Sequence, residues 1–140
     1  MPDQPLKLLL RMIGSASLLA LIFVVVPYES MDAIHRSLGM GPLPDQPVVG
    51  YLARSTSAFY AMLGGLLWLV SFDLRRHRRV LIYLGYAISV FGIALLWVDW
   101  WEGMPMFWKL WEGPFVLVIG IAISILSRRI APPGNESDPA

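Results

Sequence analysis

The residues able to do chemistry in this chain are few, and they share one depth. Arg54, Asp99 and Glu112 sit inside or at the ends of long apolar stretches, with Trp108 and the hydroxyls of Ser55 and Thr56 near that layer. An ion held among apolar side chains is costly unless paired, so Arg54 is expected to pair with Glu112 or Asp99. Three kinds of chemistry fit such a layer. A structural ion pair would clasp the helices in register. A polar pocket lined by Arg54, Asp99, Glu112, Trp108 and Ser55 would hold a small ligand or a lipid headgroup, with Arg54 on its acidic group. An acid–base pair of Glu112 and Asp99 would be catalytic. No residue is assigned a catalytic role, because no nucleophile motif or Gly-rich phosphate loop accompanies the carboxylates.

Metal and redox cofactors are not expected. Cysteine is absent, which excludes disulfides and thiolate ligation, and the two histidines, His35 and His77, are far apart. Asp99, Glu102 and Glu112 are a set that Ca²⁺ accepts, although their spacing does not itself argue for it. His35 is expected to be a solvated loop residue.

The elements that must position these groups are membrane helices. The 140 residues are 56% hydrophobic and 15% charged, against about 25% charged in a soluble domain. Mean hydropathy is +0.61, and a net charge of +1 gives no case for a nucleic-acid partner. The apolar runs predict an all-α integral membrane protein, an up-down four-helix bundle in one domain over 1–130. Its spans are expected at 8–26, 49–72, 80–98 and 106–127, near the ~20 residues a bilayer core requires. Lys7 and Arg11 resemble the basic start of a signal peptide. However, Pro27-Tyr28-Glu29 offers no small-residue cleavage site, so a retained helix is expected. Pro105 and Pro114 are alternative starts for the fourth helix, with a single helix interrupted by Pro114 favoured on length. The stretches Trp101-Glu102-Gly103-Met104-Pro105 and Trp111-Glu112-Gly113-Pro114 then read as two helix starts in succession. In the first outer loop, Ser30 can cap a short amphipathic helix with Met31, Ile34 and Leu38 on one face, and Gly39 can end it. The tail 131–140 is expected to be disordered.

Charge sets the orientation. Spans two and three are joined by a short link carrying Arg75, Arg76, His77, Arg78 and Arg79, which reads as a topology signal that stays in the cytoplasm. Alternation of four spans then puts both termini there, and Lys7, Arg11, Arg128 and Arg129 fall on the same side. The outer side holds Arg36, Arg54 and Lys109 against Glu29, Asp32, Asp45, Asp99, Glu102 and Glu112. At ~1.5 Å per residue, Arg54 lies roughly 27 Å from Phe72, Glu112 roughly 24 Å from Arg128 and Asp99 about 30 Å from Arg79. That common depth is the charged layer. Trp97, Trp100, Trp101, Trp108 and Trp111, five of the six tryptophans, crowd the same outer edge. They read as an aromatic belt, with a groove for a lipid or partner helix as the alternative.

Small residues at four-residue spacing let membrane helices approach closely. They occur at Ala16 and Ala20, at Ser57, Ala61 and Gly65, at Gly85 and Ser89, and at Gly120 and Ser124. The bilayer is the expected partner, with another membrane protein or a second copy docking on such a seam.

Several residues also carry a resemblance. Tyr51-Leu52-Ala53-Arg54-Ser55, Ser71-Phe72-Asp73 with Arg75 and Arg78, Asp99, Gly103-Met104-Pro105, Trp108 and Glu112-Gly113-Pro114 resemble small bacterial four-span membrane proteins of unknown function. In layout the chain is similar to DoxX-like proteins. The resemblance covers about residues 48–127 and implies a bacterial inner-membrane home. It implies no activity. The functional expectation is a non-enzymatic accessory or interaction subunit, with a binder or carrier of a small amphipathic or acidic ligand as the alternative and an intramembrane enzyme third.

Overall fold

The computed structural model describes residues 3–131, which form helices and, among those residues, no strand. The helices are α1 (Gln4–Leu19), α2 (Ile22–Val25), α3 (Tyr28–Ser37), α4 (Pro47–Val70), α5 (Arg78–Trp101) and α6 (Met106–Arg128). Three stretches are long and apolar enough to cross a membrane: Gln4–Val25, Arg78–Trp101 and Met106–Arg128. Helix α4 has 24 residues, a sufficient length, but the run Arg54-Ser55-Thr56-Ser57 in its first half lowers its hydropathy. The tail expected to be disordered lies, apart from Ala131, outside the described residues.

Local chemistry explains the boundaries. The first span is continuous in sequence, but its helix tightens at Ala20 and Leu21. Their N–H groups bond three residues back, to Ser17 and Leu18, which separates α1 from α2. Helix α3 starts earlier than the Ser30 cap predicts. Pro27 occupies the capping position with φ −59° and ψ 151°, a conformation that proline favours, so Ser30 lies inside the first turn. Gly39 ends it as expected, in the left-handed region at φ 73°. Helix α6 is one helix from Met106, with Pro114 inside it. The repeated Trp-Glu-Gly therefore serves two purposes. Gly103, at φ 69°, closes the end of α5, whereas Gly113 sits in mid-helix and is buried.

The described chain divides into two compact units, residues 3–10 with 70–131 and residues 11–69. In the first, α5 and α6 form an antiparallel pair joined by a four-residue link. Their seam is built from the predicted small residues: a Cβ on Gly85 would strike Ser124, and one on Gly120 would strike Ser89. The seam continues toward the link between α5 and α6 through two glycines outside the predicted set. A Cβ on Gly92 would lie 2.5 Å from the Leu117 nitrogen, and one on Gly113 would lie 2.6 Å from Leu96 Cγ. Backbones thus touch along the whole pair, which supplies the dispersion contacts that hold helices together in lipid.

In residues 11–69 the seam differs from the predicted one. Gly14 and Gly64 make the close approach, a Cβ on Gly64 falling 2.6 Å from the Gly14 carbonyl oxygen, while a Cβ on Gly65 meets nothing within 4 Å. Ala16 is exposed and Ala20 half-buried. The offset follows from helical geometry, since adjacent residues point about 100° apart and Gly64 and Gly65 cannot serve one face. Trp68 covers the join, donating to Ser15 Oγ at 3.1 Å, with the Arg11 guanidinium 4.9 Å from its ring centroid.

These two glycine environments predict opposite responses to one methyl group. Gly92→Ala should destabilise the fold by about 1–3 kcal/mol, because the Leu117 backbone cannot yield cheaply. Gly65→Ala should be neutral or stabilising by up to about 1 kcal/mol. Reversible unfolding in mixed dodecyl sulfate micelles checks both.

Candidate functional site

Of the predicted layer, Asp99, Glu112 and Trp108 lie together in the α5–α6 unit, and Arg54 and Ser55 belong to residues 11–69. The partners of the Arg54 guanidinium within its own unit are backbone carbonyls. Nη1 donates to the Val24 oxygen and Nη2 to the Val26 oxygen at 3.0 Å. These carbonyls end the first span, where the last turn of a helix has no N–H to accept and, in an apolar setting, no water. Arg54 is a cap supplied by another helix, with its charge at the negative end of the helix dipole. Ser55 is exposed, and its hydroxyl donates back to the Leu52 oxygen at 3.2 Å.

The acidic half of the layer is built differently. Glu112 is half-buried on α6, and its Oε2 accepts from Trp108 Nε1 at 2.6 Å, one helical turn earlier. Trp108, Trp111, Glu112, Phe115 and Val116 line an open pocket of about 240 Å³. Trp111 and Phe115 stack nearly parallel, at 5.4 Å and 9°. Asp99 on α5 is 4% exposed, and its Oδ2 has no hydrogen-bond partner among the described residues. It acts electrostatically on Glu112. Their proximity follows from the seam: Gly113 packs on Leu96, which places Glu112 next to the turn that carries Asp99. Lys109 faces another way, its ammonium 4.6 Å from the Trp100 ring centroid. Among the described residues no group of three or more His, Asp or Glu side chains could hold a metal ion, so Asp99, Glu102 and Glu112 do not make the Ca²⁺ set.

The basic link has structural uses. Arg78 Nε donates to the Ile130 oxygen at 2.9 Å and its Nη2 to the Arg128 oxygen at 3.4 Å, capping α6 as Arg54 caps the first span. Arg75 approaches Asp3 at 3.9 Å, and Asp73 Oδ1 accepts from the Arg76 nitrogen at 3.0 Å. Arg76 and Arg79 are exposed.

The loop between α3 and α4 is clamped at Leu43. Its N–H donates to Asp32 Oδ1 at 2.7 Å, and its carbonyl accepts from the Tyr28 hydroxyl at 2.6 Å. Arg36 Nε donates to the other Asp32 oxygen at 2.8 Å. The Leu43 hydrogen bond and then Arg36 hold the Asp32 carboxyl below the usual carboxylate range. Partial desolvation, and then the nearby Asp45 and Asp32 charges, push the Tyr28 hydroxyl up. His35, expected to be solvated, has its Nδ1 2.8 Å from the Gly41 oxygen, which requires the proton on that nitrogen. Sequence could not locate these partners, because a backbone carbonyl carries no signature of its own.

The chain matches no protein-family model, no curated protein and no solved structure. No residue role in this site is therefore carried over from a relative.

Two tests follow from these geometries. Arg54→Ala strips two carbonyls of their donors and should cost about 1–3 kcal/mol in micelle unfolding. Arg54→Lys should recover only part, since an ammonium cannot fork to both oxygens. For Asp32 the folded pKa is depressed, so its contribution is full above the ordinary value of about 4 and is lost as pH falls through the lowered one. Protection of the Leu43 amide, corrected for intrinsic exchange, should drop across that window, and Asp32→Asn should flatten the dependence.

Proposed function

We propose that this chain is a four-span protein of a bacterial inner membrane, with both termini cytoplasmic, that works as a non-enzymatic accessory or interaction subunit. Three stretches with the length and apolarity of spans support the membrane assignment, and α4 supplies the fourth by length. The orientation rests on the basic residues gathered at Arg75–Arg79 and at Arg128 and Arg129.

The observation that carries the subunit reading is an aromatic ledge on the α5–α6 pair. Trp97, Trp100, Trp101 and Trp111 are 59–74% exposed, and the Trp97 and Trp101 rings are 5.5 Å apart, tilted by 31°. Tryptophan is enriched where membrane proteins meet both lipid headgroups and partners. The seam glycines of the pair are filled from within, so its outward surface is what it offers to others.

The test is a native-membrane pull-down of the tagged chain, with quantification of what co-purifies. The expected result is one protein at near-stoichiometric yield, lost when Trp97 and Trp101 are both changed to Leu. Absence of any stoichiometric protein refutes the subunit reading.

A second reading, a binder of a small amphipathic ligand, is favoured by one feature: the pocket that contains Glu112. Arg54, engaged by carbonyls, gives less support to an acidic ligand than the carboxylates give to a basic one.

A further inference from the structure

We propose that the pocket of Trp108, Trp111, Glu112 and Phe115 binds a substituted ammonium group, carried either by a lipid headgroup or by a free amphipathic cation. The inference rests on the binder reading and gives it a ligand class.

The wall is aromatic and the polar group in it is an anion. Ring faces attract cations through their quadrupole, tryptophan most strongly, and the attraction grows as water is excluded. Glu112 supplies the counter-charge, held in place by the 2.6 Å bond from Trp108 Nε1, which fixes carboxylate and ring together. The stack of Trp111 on Phe115 holds the adjacent wall, so little ordering remains to be done on binding. A volume of about 240 Å³ lies below the roughly 300–1,000 Å³ of drug-sized sites and suits a headgroup-sized ligand.

Asp99 is the independent observation. It is 4% exposed on the facing helix, one turn beyond the Leu96–Gly113 contact, with Oδ2 unpartnered. A buried carboxylate oxygen without a donor is expensive unless a cation or a proton compensates it. Asp99 therefore offers a second, unpartnered acceptor on the helix facing Glu112, and Lys109, the basic residue one turn before Glu112 on α6, does not face Glu112. Lys109 lies over Trp100, which both leaves the pocket clear and shows the same ring–cation chemistry at this level of the pair. An anionic ligand would meet acceptor oxygens here and no cation.

The test uses the full chain in phosphatidylglycerol nanodiscs, with tryptophan fluorescence as the readout. In one arm tetrapropylammonium is titrated in. In the other, the discs are rebuilt with increasing phosphatidylethanolamine. Saturable quenching is expected in at least one arm, and which arm responds identifies the source of the ammonium group. Glu112→Gln should weaken it at least about tenfold, and Trp108→Phe should weaken it less, because the ring remains. Far-ultraviolet circular dichroism reports whether each variant keeps its helices; if Glu112→Gln does not, Trp111→Leu takes its place with the same expectation. Quenching that is equal in the variants, or absent in both arms, overturns the proposal. Tetraphenylborate separates its failure from that of the reading beneath it. Saturable quenching by this anion alone, lost in Arg54→Ala, overturns the ammonium assignment while the binder reading stands.

Discussion

The structure depends on what happens to the last carbonyls of a helix that ends among apolar residues. Water is scarce there, and every α-helix leaves its final turn of acceptors without N–H partners. The chain meets this demand with arginines sent from neighbouring helices. Arg54 of α4 holds Val24 and Val26 at the end of the first span, and Arg78 at the start of α5 holds Arg128 and Ile130 at the end of α6. At the end of α5 the chain uses a turn, with Gly103 left-handed and the Met104 nitrogen returning to the Asp99 carbonyl at 3.0 Å. A guanidinium used this way lies near the negative end of a dipole and bridges two oxygens, which fixes one helix against the terminus of another. Charges that look like candidates for ion pairs are thereby committed to backbone.

The acids of the α5–α6 pair are placed by its seam. On α5 and α6, Asp99 and Glu112 face a seam so tight that backbone nitrogens lie where side chains would otherwise stand. The seam brings the two carboxylates near each other, and Glu112 finds an indole N–H as its donor. The result is an acidic, aromatic-walled recess on a pair of helices whose rim is rich in tryptophan. An indole is apolar over its face and donates at its edge, a combination suited both to a membrane interface and to a protein contact.

The segment from α3 to α4 shows the same economy with soluble-protein chemistry. Leu43 is held by both of its backbone groups, through Asp32 and Tyr28, and His35 takes the Gly41 carbonyl. Prolines at 42, 44 and 47 leave this segment few N–H donors of its own, so side chains from α3 do the satisfying. Its helix α3 buries Met31 alone among its residues, so the helix is tied down mainly by hydrogen bonds.

Sequence determined the helices, their apolar character and the basic link, because these follow from composition and local periodicity. It also marked Gly85, Ser89, Gly120 and Ser124 as residues that allow close approach, while the tertiary structure paired Gly85 with Ser124 and Gly120 with Ser89. Tertiary structure decided which of two adjacent glycines, Gly64 or Gly65, turns inward, because a one-residue rotation of about 100° leaves almost no trace in the pattern. Length already favours a single helix through Pro114, and tertiary structure adds why Gly113 is needed there, against Leu96. Above all it decided the partners of Arg54. A carboxylate is visible in a sequence and a carbonyl at the end of a helix is not, so the charge was legible and its obligation to the backbone was not.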